Sequence, residues 1–185
     1  MIELRIKDLL EQDDINVICH ICNLHQKMAA GIAKAISAKY PEAFEADKAT
    51  PKDDPSKLGT FSFAKTDSGK LVVNIYAMPR MGELSYDAFY KALVTLRDKC
   101  EAFNVKPDPN RISKIIGIPY NVGCDLAGGD FYVVSAIIKS IFGKSPVKVI
   151  ICRLPSQREL PSVFDAENEK IDMVKAVTVS DDEVF

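Results

Sequence analysis

Residues 17–35, VICHICNLHQKMAAGIAKA, constrain the fold more than any other stretch of the chain. Val17 to Cys22 is an apolar run rich in β-formers, which reads as a buried strand. Asn23 to Lys27 is short and polar, Met28-Ala29-Ala30-Gly31 is a run of mostly small residues, and helical composition begins at Ile32. A strand, a small-residue loop and a helix in that order offer backbone N–H groups to an anion at the helix N-terminus. Gly or Ala in such a loop lets a ligand approach the main chain closely. A tight strand-to-helix turn that binds nothing accounts for these residues equally well.

The rest of the chain supplies partners for this unit. Ile2 to Ile6, Gly59 to Lys65, Leu71 to Met78, Lys114 to Pro119 and Val147 to Leu154 read as strands. Thr66 to Lys70 is the turn of a hairpin. Helical spacing is expected over Ile32 to Phe44, with Pro41 kinking or ending that helix. It is also expected over Tyr86 to Phe103 behind an N-cap at Ser85, and over Asp130 to Phe142. Glu45 to Lys57 is polar and punctuated by proline, hence a surface loop. Alternating strands and helices predict an α/β layered domain with a mixed sheet. Beyond Leu154, Pro155 and Pro161 interrupt the pattern, and Ile171 to Val179 is at most an edge strand.

Composition excludes several classes. With 185 residues, 47% of them apolar, the chain suits one domain with a sizeable core. Its start is not that of a secretory signal and no apolar stretch could span a bilayer, so no membrane partner is expected. The net charge of −2 argues against a nucleic-acid surface. Five cysteines, mostly within predicted strands, suggest reduced thiols in the cytoplasm. Charge is uneven: residues 155–185 carry three basic and eight acidic residues, a net −5 against +3 for the remainder. This marks 155–185 as an acidic extension of a domain spanning 1–154.

A second loop, Asn121 to Gly129 (NVGCDLAGG), repeats the logic of the first between a strand and the helix from Asp130. If the two strands are parallel neighbours, both loops lie at the carboxyl edge of the sheet, where α/β domains bind ligands. Neither GxxxxGK[ST] nor GxGxxG occurs. Cys19-His20-Ile21-Cys22 has the spacing of a metal motif, but residues three apart on a strand face opposite sides, so no metal is expected. His20 reads alone as a core histidine satisfied by a neighbouring carbonyl, Asp130 as a helix cap, Asp8 as a strand terminator and Asp125 as a turn residue.

Taken together, these residues resemble the macrodomain, an α/β/α three-layer fold with a mixed central sheet. The resemblance runs from about Ile2 to Leu154. It rests on Asp8, on His20-Ile21-Cys22-Asn23 leading into Ala29-Ala30-Gly31-Ile32-Ala33, on Leu58-Gly59, and on Ile118-Pro119 with Gly123-Cys124 and Ala127-Gly128-Gly129-Asp130-Phe131. The pattern is most similar to the yeast-type ADP-ribose-1″-phosphate phosphatases and their phage and bacterial relatives. The resemblance implies ADP-ribose binding and hydrolysis of the terminal phosphate of ADP-ribose-1″-phosphate, with no cofactor. Removal of ADP-ribosyl or O-acyl groups, and recognition of ADP-ribose without catalysis, are the alternatives. It further implies that Asp8 meets the adenine amino group and Asn23 the distal ribose. Ala29, Ala30, Gly31 and Ile32 with Val122, Gly123 and Cys124 would cradle the diphosphate, and His20 and Asp130 would be the catalytic groups. Lys7 stands where a glycine usually precedes the aspartate, and Ala29 replaces a loop glycine. Ala77 and Ala127 occupy the places of a lysine and an aspartate that act in a related subgroup.

Overall fold

The computed structural model describes residues 1–106 and 112–160. Six strands form one sheet: β1 (Ile2–Ile6), β2 (Val17–Asn23), β3 (Phe61–Lys65), β4 (Leu71–Met78), β5 (Ile115–Pro119) and β6 (Lys148–Arg153). Their order across the sheet is β1-β6-β5-β2-β4-β3. All neighbours pair in parallel except β3 and β4, the antiparallel hairpin at one edge. The helices are α1 (Gly31–Lys39), α2 (Pro41–Lys48), α3 (Tyr86–Asn104) and α4 (Phe131–Phe142).

Two apolar layers explain the sandwich. Alternate residues Cys19, Ile21, Val73, Ile75, Ile118 and Ile151 face α3 and α4, meeting Phe89, Leu93, Val134 and Ile138. The opposite set, with Ile18, Val72 and Ile150, meets Ile36, Tyr40 and Ala43 of α1 and α2. Because both faces are covered, all seven residues of β2 are buried, which is why its sequence is a run rather than an alternation.

The helix expected over Ile32 to Phe44 is two helices. Pro41 opens α2 at its first position, where a missing N–H costs nothing, and its ring holds Tyr40 outside the helical region at φ −132°, ψ 75°. The last turn of α2 reaches Lys48, so the surface loop begins later than Glu45. Ser85 caps α3 by accepting the Ala88 N–H at 3.3 Å.

The domain does not stop at Leu154. The Gln157 side chain accepts the Leu154 N–H at 2.9 Å, and Arg153 donates to the Gln157 carbonyl at 2.6 Å. Leu160 N–H donates to the Tyr120 hydroxyl at 3.0 Å. Residues 155–160 therefore fold back onto the top of β5 and β6. The rest of the expected extension, with the edge strand considered over Ile171 to Val179, lies outside the described residues. Among the described residues no helix is long and apolar enough to cross a membrane.

Candidate functional site

The carboxyl ends of β1, β6, β5, β2 and β4 open into a cleft of about 450 Å³. From β1 to β2 is three strand spacings, roughly 14 Å, so the cleft suits an elongated ligand.

At the β1 and β6 end stands Asp8, with Leu10, Cys152, Leu154 and Gln157. Asp8 caps a 3-10 turn, Leu9–Glu11, one carboxylate oxygen accepting the Leu10 N–H at 2.8 Å. The other oxygen accepts nothing from the described residues, so Asp8 ends its strand and also presents a free acceptor. Gly117 lets this turn settle: a Cβ there would lie 2.5 Å from Leu9 Cδ1.

The middle of the cleft is lined by the start of α1. Its N-cap is Ala30, which makes no side-chain cap, and its first turn holds no acid. Lys34 N–H donates to Ala30 O, leaving Gly31, Ile32 and Ala33 N–H without an internal acceptor. Ala29 to Ala33 all line the cleft. Only Gly31 needs the left-handed region, at φ +54°, and the extended Ala30 does not. Alanine for glycine at Ala29 is thus no obstacle to the loop's shape.

The facing wall is the loop after β5. Val122 and Cys124 N–H groups are spent on Pro119 and Asn121 carbonyls, at 3.1 and 2.9 Å. Val122 and Gly123 line the cleft but Cys124 does not; its thiol is turned to the Val122 carbonyl and is pushed up to about 12 by burial. Among the described residues the amides of Gly123, Asp125 and Leu126 meet no acceptor, and neither do those of Asn121 and Ala127. Of the residues 122–124 expected to offer amides, Gly123 alone has its N–H open among the described residues. Leu126 leans across to α1: its Cδ1 would sit 3.6 Å from a Cβ on Gly31.

The far end, above β2 and β4, holds Ile21, Asn23, Lys27, Met78 and Met81. The Asn23 side chain organises its own loop. It donates to the Lys27 carbonyl at 2.8 Å and accepts the His25 and Lys27 N–H groups at 2.9 and 3.2 Å. Its second amide proton meets no acceptor among the described residues. Gln26, at φ +57°, spreads its amide over the Asp47, Lys48 and Thr50 carbonyls that end α2, and His25 pairs with Asp53.

His20 and Asp130, expected to approach the cleft from opposite sides, line none of it. Residue parity separates His20 from Ile21 and Asn23, and it points into the α2 side of the sheet, fully buried. There Asn74 Nδ2 donates to Ala43 O, so Asn74 Oδ1 faces His20 and accepts from its Nε2–H at 2.8 Å. Asn74 also donates to Ser62, Ser62 to Tyr76, and Tyr76 to Asp47 Oδ1, at 3.0, 2.8 and 2.9 Å. Burial pulls the His20 pKa down to about 4, so the ring is neutral. Asp130 is the N-cap of α4, accepting Tyr132 and Val133 N–H at 2.8 and 3.0 Å.

The titratable side chains that do line the cleft are Asp8, Lys27, Asp125 and Cys152. Burial holds Cys152 protonated, pushed up to about 11. From the sequence Asp125 reads only as a turn residue and Lys27 only as the end of a polar segment, although their places next to the two loops are visible there. Gln157 had no sequence signal, because a tertiary turn brings it in. Among the described residues no cluster of His, Cys, Asp and Glu could hold a metal ion.

No protein-family model and no curated protein sequence matches the chain. Solved structures do. A protein of unknown function from Bacteroides thetaiotaomicron is 22% identical, with TM-score 0.68, over 83% of this chain and 98% of that one. The macrodomain of Mycobacterium tuberculosis DarG is 20% identical, with TM-score 0.63, over 84% of this chain and 99% of its own. The chain has the macrodomain fold. Among macrodomain neighbours, Thermosipho africanus DarTG, solved in complex with ADP-ribose, is 13% identical, with TM-score 0.62, over 80% of this chain and 40% of that one.

Proposed function

We propose that the chain binds ADP-ribose in this cleft and releases the terminal phosphate of ADP-ribose-1″-phosphate. The observation that carries the reading is the uncapped N-terminus of α1, open to the cleft between a free carboxylate at one end and the Asn23 loop at the other. A diphosphate fits that position because first-turn N–H groups and the helix dipole favour an anion. Asp8 accepts from the adenine amino group. Gly31, Ile32 and Ala33 meet one phosphate and the open amides of Gly123, Asp125 and Leu126 the other. Asn23 donates its remaining proton to the distal ribose. The ADP-ribose-bound macrodomain neighbour supports this ligand class.

For hydrolysis, water attacks the terminal phosphorus and the bond from phosphorus to the C1″ oxygen breaks. Asp125, a carboxylate at the open loop, takes the water proton, and the departing C1″ oxygen takes one from solvent, giving ADP-ribose and inorganic phosphate. With five cysteines free and four of them buried, the setting we assign is the reducing cytoplasm.

One observation favours a plain reader of ADP-ribose instead: both residues expected to transfer protons lie outside the cleft. Calorimetry with ADP-ribose tests the binding reading, and absence of binding at millimolar ligand ends it. Phosphate release from ADP-ribose-1″-phosphate by the wild type and by Asp125→Asn tests the reaction. A general base is worth roughly 10²–10⁴-fold in rate. Tight binding without release leaves the reader, and assays on ADP-ribosylated protein and O-acetyl-ADP-ribose decide whether another hydrolysis takes place.

A further inference from the structure

The cleft has one cation whose use the ADP-ribose reading leaves open. Among the described residues Lys27 is the only cationic side chain that lines it. Its residue is exposed, and its ammonium meets no carboxylate within ion-pair distance among those residues. Four lysines elsewhere are paired, Lys39 with Glu11, Lys48 with Glu45, Lys91 with Asp87 and Lys148 with Glu3, and what sets Lys27 apart from the remaining unpaired ones is its place on the cleft.

The place of Lys27 along the cleft is set by its main chain. Asn23, the last residue of β2, brackets it from both sides, accepting its N–H and donating to its carbonyl. The strained Gln26 next to it is tied to the end of α2. The root of the lysine is therefore held above β2, three strand spacings from Asp8, on the far side of the α1 N-terminus. A ligand whose base lies at Asp8 and whose diphosphate lies at α1 brings its second ribose to this point. The residues that line this end of the cleft with it, Ile21, Asn23, Met78 and Met81, carry no charge.

Resting on the ADP-ribose reading, we propose that Lys27 is the specificity-determining residue of the cleft, pairing with an anionic substituent on the ribose remote from the base. The ligand class that follows is an ADP-ribose carrying a phosphate monoester at the distal ribose, in preference to the unsubstituted sugar. The monoester dianion would lie between Lys27 on one wall and Asp125 on the other, cation to bind it and carboxylate to take a proton from water.

The test compares ADP-ribose with ADP-ribose-1″-phosphate by stopped-flow binding, read before turnover, on wild type, Lys27→Met and Lys27→Arg. A charge-assisted contact of this kind predicts wild-type affinity about ten-fold higher for the monoester. Lys27→Met should bring the two ligands within about two-fold, by weakening the monoester alone, and Lys27→Arg should keep most of the preference. Equal weakening of both ligands would place Lys27 on the diphosphate and overturn the proposal, as would an unchanged preference in Lys27→Met. Wild type that binds ADP-ribose but gains nothing from the monoester also overturns it, while the ADP-ribose reading stands. Wild type that binds neither ligand removes both.

Discussion

The N-termini of α1 and α4 are built from the same plan, a strand, a small-residue loop and a helix, and they end in opposite states. At α4 the helix closes its own end: Asp130 places a carboxylate on two first-turn amides. At α1 the corresponding position is Ala30, which has nothing to place there, and the amides of Gly31, Ile32 and Ala33 stay open onto the cleft. Unsatisfied helix-end donors are a cost in a folded protein unless water or a ligand takes them. A fold that caps one end and leaves its counterpart bare, at the mouth of the one large cleft described, separates support from recognition.

The most damaging way to test that separation is to make α1 resemble α4. Ala30→Asp would supply a cap and a negative charge where the diphosphate is proposed to lie. Loss of two charge-assisted hydrogen bonds, at about 1.5–3 kcal/mol each, predicts at least a hundred-fold drop in ADP-ribose affinity. The melting temperature should hold or rise, because a new cap is worth about 0.5–2 kcal/mol. Calorimetry and a thermal melt on the same sample read both. Retained affinity would mean that the open amides of α1 do not bind the ligand.

A smaller loss is expected from Asp8→Ala, about 1.5–3 kcal/mol of ADP-ribose affinity, since one acceptor is removed and the open helix end remains. Unchanged affinity in a folded variant would reduce Asp8 to its 3-10 cap. Next comes the reverse experiment, Asp130→Ala. Stripping the α4 cap should cost about 1 kcal/mol of stability in chemical denaturation while ADP-ribose affinity moves less than about three-fold. Binding lost from a folded Asp130→Ala protein would join α4 to the site. The least effect is expected from ending the chain after Leu160, which leaves Gln157 and the Tyr120 contact in place. Its ADP-ribose affinity, measured in the same titration, should match that of the whole chain.

Much of this arrangement was legible in the residues. The six strands stand where apolar runs and alternation placed them, and Ser85 is the cap it resembled. Pro41 divided a helix as prolines do, although the continuation into α2 was hidden by the polar composition of Glu45 to Lys48. Sites were harder. Alternation along a strand already puts His20 with Ile18 and Cys22, away from Asn23; resemblance to a motif obscured that parity. Asp130 had the position of an N-cap and is one. Which amides of the second loop are open could not be read from its glycines, because Val122 and Cys124 spend theirs on turns that form only in three dimensions. Residues 155–160 lacked periodicity, and their return to the cleft depends on the long-range bond of Leu160 to Tyr120 and on short-range bonds to Arg153.

The hydrogen-bonded series from His20 to Asp47 has a consequence for proton uptake. Every donor in it points the same way, from His20 Nε2–H through Asn74, Ser62 and Tyr76 to the Asp47 carboxylate. The unfolded chain takes a proton on this histidine near the ordinary value of 6.5, whereas the folded chain refuses it until about 4. Across that window the folded state is one proton short, and stability falls on acidification. Asp47 works in the other sense: burial raises its carboxyl above the ordinary 3.8, so its contribution is present in acid and fades as pH rises. Between pH 6.5 and the range where Asp47 begins to protonate, nothing in this series offsets the histidine, and the domain acquires an acid-labile margin set by an imidazole that does not line the cleft.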